Sequence, residues 1–304
     1  MYTAPAITCC VINILCILGL QFVFEETYAG LANSNNSNEK IRVPKYDKKA
    51  VGLCHLTRFV QLFAFTNLET IGTPFVMAMF ALNSAQTVQA LSVCHSISGL
   101  LGFIIYMVHA TRKKEIVDFR KLLIFGFLGF LLFHISTFPV SFLQFEAYKL
   151  SNNTGIEPVG CPVDSFAWCN TTGQVNFWVF MVMMCLVLGV FWPNVNVSLS
   201  TLLSKILGPR RQANQQSLFQ MSASFARLTG PLLISNIYTF AGPMYTWSFE
   251  ISVLVFIIIV WIFAFKRMVP LKMPEVNEIP PELEESSSDL EIEEDKDAHN
   301  FARF

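Results

Sequence analysis

Charge is what this chain has least of. Asp, Glu, Lys and Arg make up 14% of its 304 residues, while 53% are hydrophobic. Soluble domains carry about 25% charge. Half of the 22 acidic residues lie beyond residue 273, in a tail holding only two basic ones. What remains is a basic, apolar body with an acidic tail, which points to an integral membrane protein and away from nucleic-acid binding. No CxxC pair and no Cys/His cluster has zinc spacing. No nucleophile–base pair is recognisable, so neither an enzyme, a metal site nor a cofactor is expected. Of eight cysteines, Cys9, Cys10, Cys16, Cys94 and Cys185 lie in apolar runs and read as core thiols. The first apolar run has no basic segment before it, so it reads as a retained helix and not as a signal peptide.

What is abundant is long apolar sequence, rich in Phe with 29 residues. Seven runs approach the ~20 residues needed to cross a bilayer: 5–24, 55–80, 87–110, 121–143, 175–198, 213–240 and 245–265. Helix is expected in each, because an open-chain span must satisfy its own backbone groups. The segments 25–54, 111–121, 202–212 and 266–272 hold sixteen Lys and Arg, and the opposite loops hold only Lys149. By the positive-inside rule the N-terminus is lumenal or extracellular and the C-terminus cytosolic. Sequons at Asn152 and Asn170 then fall on the non-cytosolic side, beside Cys161 and Cys169, a pair able to form a disulfide there. The expected domains are a first spanning helix (1–24), a cytosolic linker (25–54), a six-helix unit (55–268) and a disordered acidic tail (269–304).

A few polar residues interrupt the spans. Glu69 lies fourteen residues from His55, at the entrance of the second, and Arg227 fourteen from Ala213, at the entrance of the sixth. An unpaired charge at the bilayer centre costs at least ~2.5 kcal/mol. Opposite charges at matched depth are therefore expected to pair, as a relay, a solute clamp or simple packing glue. Asn67 and Thr70 flank Glu69. His95 sits in a helix made polar by serines. Arg58, near a boundary, is expected to snorkel. Pro193, beside Asn194, and Pro231 mark places where helices break or kink. The fourth and seventh spans are almost purely apolar and are expected to face lipid, leaving the second, third, fifth and sixth inside. After the first helix this makes two triplets, the three-plus-three inverted arrangement of transporter halves.

Two motifs carry a resemblance. Gly208-Pro209-Arg210-Arg211-Gln212 followed by Phe225-Ala226-Arg227-Leu228-Thr229-Gly230-Pro231 resembles a cytosolic turn and the eleventh helix of major facilitator superfamily carriers. Leu68-Glu69-Thr70-Ile71-Gly72-Thr73-Pro74 is similar to the seventh helix of lysosomal major-facilitator-domain proteins associated with ceroid lipofuscinosis. Gly242-Pro243 before the last apolar run, and Lys266-Arg267 after it, are also similar. The resemblance covers roughly 53–270. It implies a C-terminal half-bundle of six helices preceded by the sixth helix of a full carrier. It further implies that Glu69 and Arg227 line or brace a central cavity, in a lysosomal or endosomal membrane. The turn at 109–121 keeps basic residues, Arg112 and Lys113 among them, but lacks the superfamily's Gly/Asp-rich signature. Gating roles for Arg112, Lys113, Arg210 and Arg211 rest on the resemblance alone.

The function expected is transmembrane transport by a secondary carrier, or by half of one. Its partners are then the lipid bilayer, an unidentified small solute or ion, and a missing N-terminal half or a second copy. Two alternatives stand beside it. One is a channel-like conductance on the same bundle. The other is a seven-helix receptor, which the lack of Asp-Arg-Tyr and Asn-Pro-x-x-Tyr sequences disfavours.

Overall fold

The computed structural model describes residues 3–23, 44–111, 118–139, 160–162, 165–170 and 172–271. Every described element of regular length is a helix. The helix α1 (Ala4–Val23) belongs to one unit and the bundle to another. In α1 twenty residues without a charge are long and apolar enough to cross a membrane.

The bundle runs α2 (Lys48–Phe80), α3 (Ser84–Thr111), α4 (Phe119–Ser136), α5 (Phe177–Leu186), α6 (Trp192–Leu207), α7 (Ala213–Ala241) and α8 (Pro243–Ala264). A π-helical segment, Val187–Phe191, joins α5 to α6 into one pass, so six passes result. Helix starts follow the chemistry of capping. Asp47, Asp118 and Asn176 each accept hydrogen bonds from the first-turn amides of α2, α4 and α5. The Asp47 cap extends α2 seven residues before the expected start at His55.

Four passes meet the length and composition of a membrane span, as does α1. The two that do not are α2 and α7, the helices carrying Glu69 and Arg227. They are long enough but too polar to be surrounded by lipid, and they pack on each other more extensively than any other pair. The remaining pairings repeat. Helix α3 packs on the π segment and α5, and α4 packs on α8 as well as on α6. The first helix of each triplet thus lies on the second of the other, and third lies on third. The two triplets also run in opposite senses, the arrangement of an inverted repeat.

The expectation that the fourth and seventh spans simply face lipid is corrected. Helix α4 buries Phe127, Phe130, Phe133 and His134, and α8 buries Trp247, Glu250, Leu254 and Trp261. Their outer faces do expose Leu128, Leu132, Phe256 and Phe263. Both buried tryptophans are satisfied: Trp247 Nε1 donates to Thr137 Oγ1 and Trp261 Nε1 to Thr57 Oγ1, each at 2.9 Å.

The ends of the bundle differ in charge. At one end lie Lys48, Lys49, Arg120, Lys121, Lys205, Lys266 and Arg267, and among the described residues the other end has no Lys or Arg. The basic end is tied by Arg267 to Asp47 and by the Leu271 amide to the Lys205 carbonyl. Here the Arg267 guanidinium holds the Asp47 carboxyl below its ordinary range, and Arg120 does the same to Asp118. The opposite end holds the Cys161–Cys169 disulfide, and Gln174 Nε2 donates to the Met79 carbonyl at 2.8 Å.

Candidate functional site

The π segment organises the site. Pro193 has no N–H to offer the carbonyl four residues earlier, that of Gly189. The helix widens over Val187–Phe191 just before this proline, as π-bulges at functional sites commonly do. Gly189 lets α3 come close: a Cβ there would lie 2.8 Å from Leu101 Cβ and 3.0 Å from the Ser98 carbonyl oxygen. Beside this crossing an open cavity of about 460 Å³ lies between α2, α3 and the α5–α6 pass.

Its walls are mostly apolar, with four large aromatic side chains and few polar groups. Phe65 stacks on Trp192 with centroids 4.2 Å apart, and Phe103 and Tyr106 line the α3 side. Glu69, His95 and Ser98 supply the polar lining, and Pro193 the irregular helix. An apolar concavity with a few convergent polar groups is the usual form of a small-molecule site. Glu69 and His95 are exposed on it.

Next to the cavity runs a hydrogen-bonded chain. The Asn196 amide donates to the Tyr106 hydroxyl at 3.2 Å, and Arg58 Nη1 donates to Asn196 Oδ1 at 2.7 Å and to Gln61 Oε1 at 3.0 Å. Arg58 Nη2 reaches Gln220 Oε1 at 3.4 Å, and the guanidinium lies 4.9 Å from the Phe219 ring centroid. Arg58 therefore joins α2, α6 and α7. It does not snorkel to a boundary, because neutral amide oxygens and an aromatic face satisfy it inside the bundle. His109 Nε2 meets Asn194 Oδ1 at 3.0 Å.

The structure thus brings Glu69, His95 and Pro193 to one cavity and buries Asn194 outside its lining, against His109. The expected pairing of Glu69 with Arg227 is corrected: both are exposed, and no ion pair joins them. Arg227 instead lies within electrostatic reach of Arg58. Equal depth did not ensure contact, because the two side chains leave α2 and α7 on outward faces. Asn67 does not serve Glu69 either. It is fully buried and its Nδ2 donates to Glu250, while Thr70 Oγ1 donates to the Thr66 carbonyl. Pro231 does not break α7, which runs as one helix past it. Arg210 and Arg211 lie in the turn between α6 and α7. Arg112, Lys113 and Asn152 lie outside the described residues, and Asn170 is exposed.

Sequence reasoning missed Glu250, Tyr106 and Trp192. Glu250 was legible as the sole carboxylate in its helix, but that span was read as almost purely apolar and lipid-facing. Trp192 and Asn196, four apart, share a helix face. Tyr106 carried no signal apart from its apolar helix.

These features define a class: an all-α, multi-pass integral membrane protein. No family model matches the chain. Among curated proteins it is similar to the Major facilitator superfamily domain-containing protein 8 of Xenopus laevis, with 27% identity over 299 residues. That alignment covers 89% of this chain and 58% of the relative, so the chain spans under two thirds of the relative's length. The superfamily likeness read from the motifs at 68–74 and 208–231 is therefore carried along most of the chain.

Proposed function

We propose that this protein is a secondary solute carrier of the major facilitator type, or the C-terminal half of one. The observation that carries the reading is the open cavity where Glu69 and His95 face the π-to-α junction at Pro193. Discontinuous helices beside a midplane cavity are a transporter feature, since freed backbone groups then face a path and not lipid. The inverted packing of the two triplets and the similarity to a major-facilitator-domain protein support it. Glu69, lacking an ion-pair partner among the described residues, is available to a solute or ion. An N-terminal half or a second copy completes the path, because alternating access rocks one half against another.

The proposed location is a lysosomal or endosomal membrane, on the motif likeness around Glu69. The basic end of the bundle faces the cytosol, which puts the disulfide and a glycan on Asn170 on the lumenal side. Uptake of labelled amino acids, sugars and carboxylic acids into proteoliposomes under an imposed pH gradient tests the reading. Wild type is expected to accumulate at least one class above protein-free vesicles, and Glu69→Gln to lose that uptake. Uptake equal to protein-free vesicles across the panel, by folded protein, overturns the reading that this chain carries solute by itself or with a second copy. Undiminished uptake by Glu69→Gln removes Glu69 from the path.

A further inference from the structure

Cys94 of α3 and Cys185 of α5 were expected to be separate core thiols. Their sulfurs lie 2.9 Å apart. Each thiol also points at the other helix: Cys94 Sγ to the Met181 carbonyl at 3.7 Å and Cys185 Sγ to the Cys94 carbonyl at 3.6 Å. Ser98 Oγ lies between the same two backbones, 2.7 Å from the Cys94 carbonyl oxygen and 3.5 Å from that of Cys185. We propose that Cys94 and Cys185 form an oxidisable dithiol whose disulfide staples α3 to α5 at the edge of the cavity.

Three further observations favour it. The sulfurs need approach by only about 0.9 Å to reach a bond length of about 2.0 Å. The pass carrying Cys185 also approaches α3 closely one turn on, where a Cβ on Gly189 would lie 3.0 Å from the Ser98 carbonyl oxygen. Access exists as well: the chain neighbours His95 and Met184 line the open cavity, and Cys185 is half-buried while Cys94 is buried. Both cysteines lie in the half of the bundle nearer the Cys161–Cys169 disulfide, the end already in an oxidised state.

The chemistry with a peroxide balances. The Cys185 sulfur attacks one peroxide oxygen, giving a sulfenic acid and one water. The Cys94 sulfur then attacks the sulfenic sulfur. The S–S bond forms, the S–O bond breaks, and the oxygen leaves as a second water carrying the Cys94 proton. Two electrons pass from the thiols to the peroxide. A dithiol reductant reverses the bond by exchange.

The test is alkylation mapping of the full chain in membranes. Hydrogen peroxide is applied, free thiols are blocked with N-ethylmaleimide, and peptides are read by mass spectrometry. The expected result is loss of labelling at both cysteines and a cross-linked peptide pair lighter by two hydrogens. Dithiothreitol is expected to restore labelling. Cys94→Ser should keep Cys185 from entering any cross-link, and Cys185→Ser should do the same for Cys94. The doubly substituted protein, with an unchanged size-exclusion profile, shows that the variants fold. Persistent labelling of both thiols after peroxide, or independent conversion of each to a sulfonic acid, overturns the proposal. None of these readouts depends on transport activity.

Discussion

Asn67 of α2 donates its side-chain amide to the Glu250 carboxylate of α8, at a point where neither residue is more than 2% exposed. Asn67 Oδ1 and Glu250 Oε2 have no hydrogen-bond partner among the described residues. This link therefore stands in the core of the bundle, while Glu69, two residues along α2, faces the open cavity. Removing the donor leaves a buried carboxyl without compensation. Asn67→Ala is expected to lower stability by about 1–3 kcal/mol, and Glu250→Gln to lower it less. Thermal melts of the detergent-solubilised protein, followed by tryptophan fluorescence, measure both. A melt of Asn67→Ala matching wild type would show that the link carries no stability.

Gly230 of α7 closes the same site. A Cβ on it would lie 2.7 Å from Asn67 Oδ1 and 3.6 Å from the Phe63 ring. In an open helix, Gly→Ala gains about 1 kcal/mol from propensity. Here the Asn67 amide is held by Glu250 and cannot swing away without losing that bond, so Gly230→Ala is expected to destabilise. In an Asn67→Ala background the obstruction is gone and the same substitution should turn neutral or favourable. A double-mutant cycle on melting free energies reads the coupling, and strict additivity would contradict the contact.

Arg58 joins three helices through amide oxygens, which a planar guanidinium with several fixed donors can reach and an ammonium cannot. Arg58→Lys is expected to cost on the order of 2 kcal/mol, the scale of charged hydrogen bonds lost. It should also free Asn196 and, through it, Tyr106 at the cavity wall. Glu69→Gln, made on an exposed side chain, should stay within about 0.5 kcal/mol of wild type. The two variants thus separate a residue that holds the bundle from one that faces its cavity. Equal melting losses would contradict that division.

How much of this was legible follows from the range of each interaction. Helix positions could be read because apolar length and loop charge are local properties, and five of the seven expected runs end within a few residues of the observed helices at both ends or differ by a cap, while 121–143 runs past the end of α4 at Ser136 and 175–198 stops short of the end of α6 at Leu207. The cap is instructive: Asp47 lengthens α2 through two amide contacts that no hydropathy pattern contains. The polar residues themselves were visible, since charge in an apolar run is conspicuous. Their partners were not. Matched depth suggested Glu69 with Arg227, but depth fixes one coordinate only, and rotation about each helix axis is set by packing. Glu250 and Asn67, or Cys94 and Cys185, meet because of that rotation.

The basic end offers a pH test outside the membrane. Asp47 caps α2 and pairs with Arg267, which holds its carboxyl below the ordinary value of 3.8. A depressed carboxyl contributes stability that is present above the unfolded-state value and is lost as pH falls through the lowered one. Between pH 7 and pH 5 the pair should therefore be unaffected, and its contribution should fade only below about 3.8. Asp47→Asn keeps a good cap and removes the charge. The melting temperature of wild type is expected to exceed that of Asp47→Asn at neutral pH, with the difference closing in acid and in high salt. A difference that persists in strong acid would assign the effect to the cap and not to the ion pair.

Gly189 sets the distance between α3 and the π segment, so it also sets how easily the two thiols meet. Gly189→Val would drive a branched side chain into Leu101 and the Ser98 backbone. Overpacking of this kind costs about 1–3 kcal/mol, and the obstructing atoms are largely backbone, so the helices must part for it to be relieved. Two outcomes are expected together: a lower melting temperature and a slower, less complete Cys94–Cys185 cross-link under the same peroxide exposure. Gly189→Ala should show both effects more weakly. A variant that melts lower yet cross-links as fast as wild type would mean that the sulfurs meet independently of this crossing.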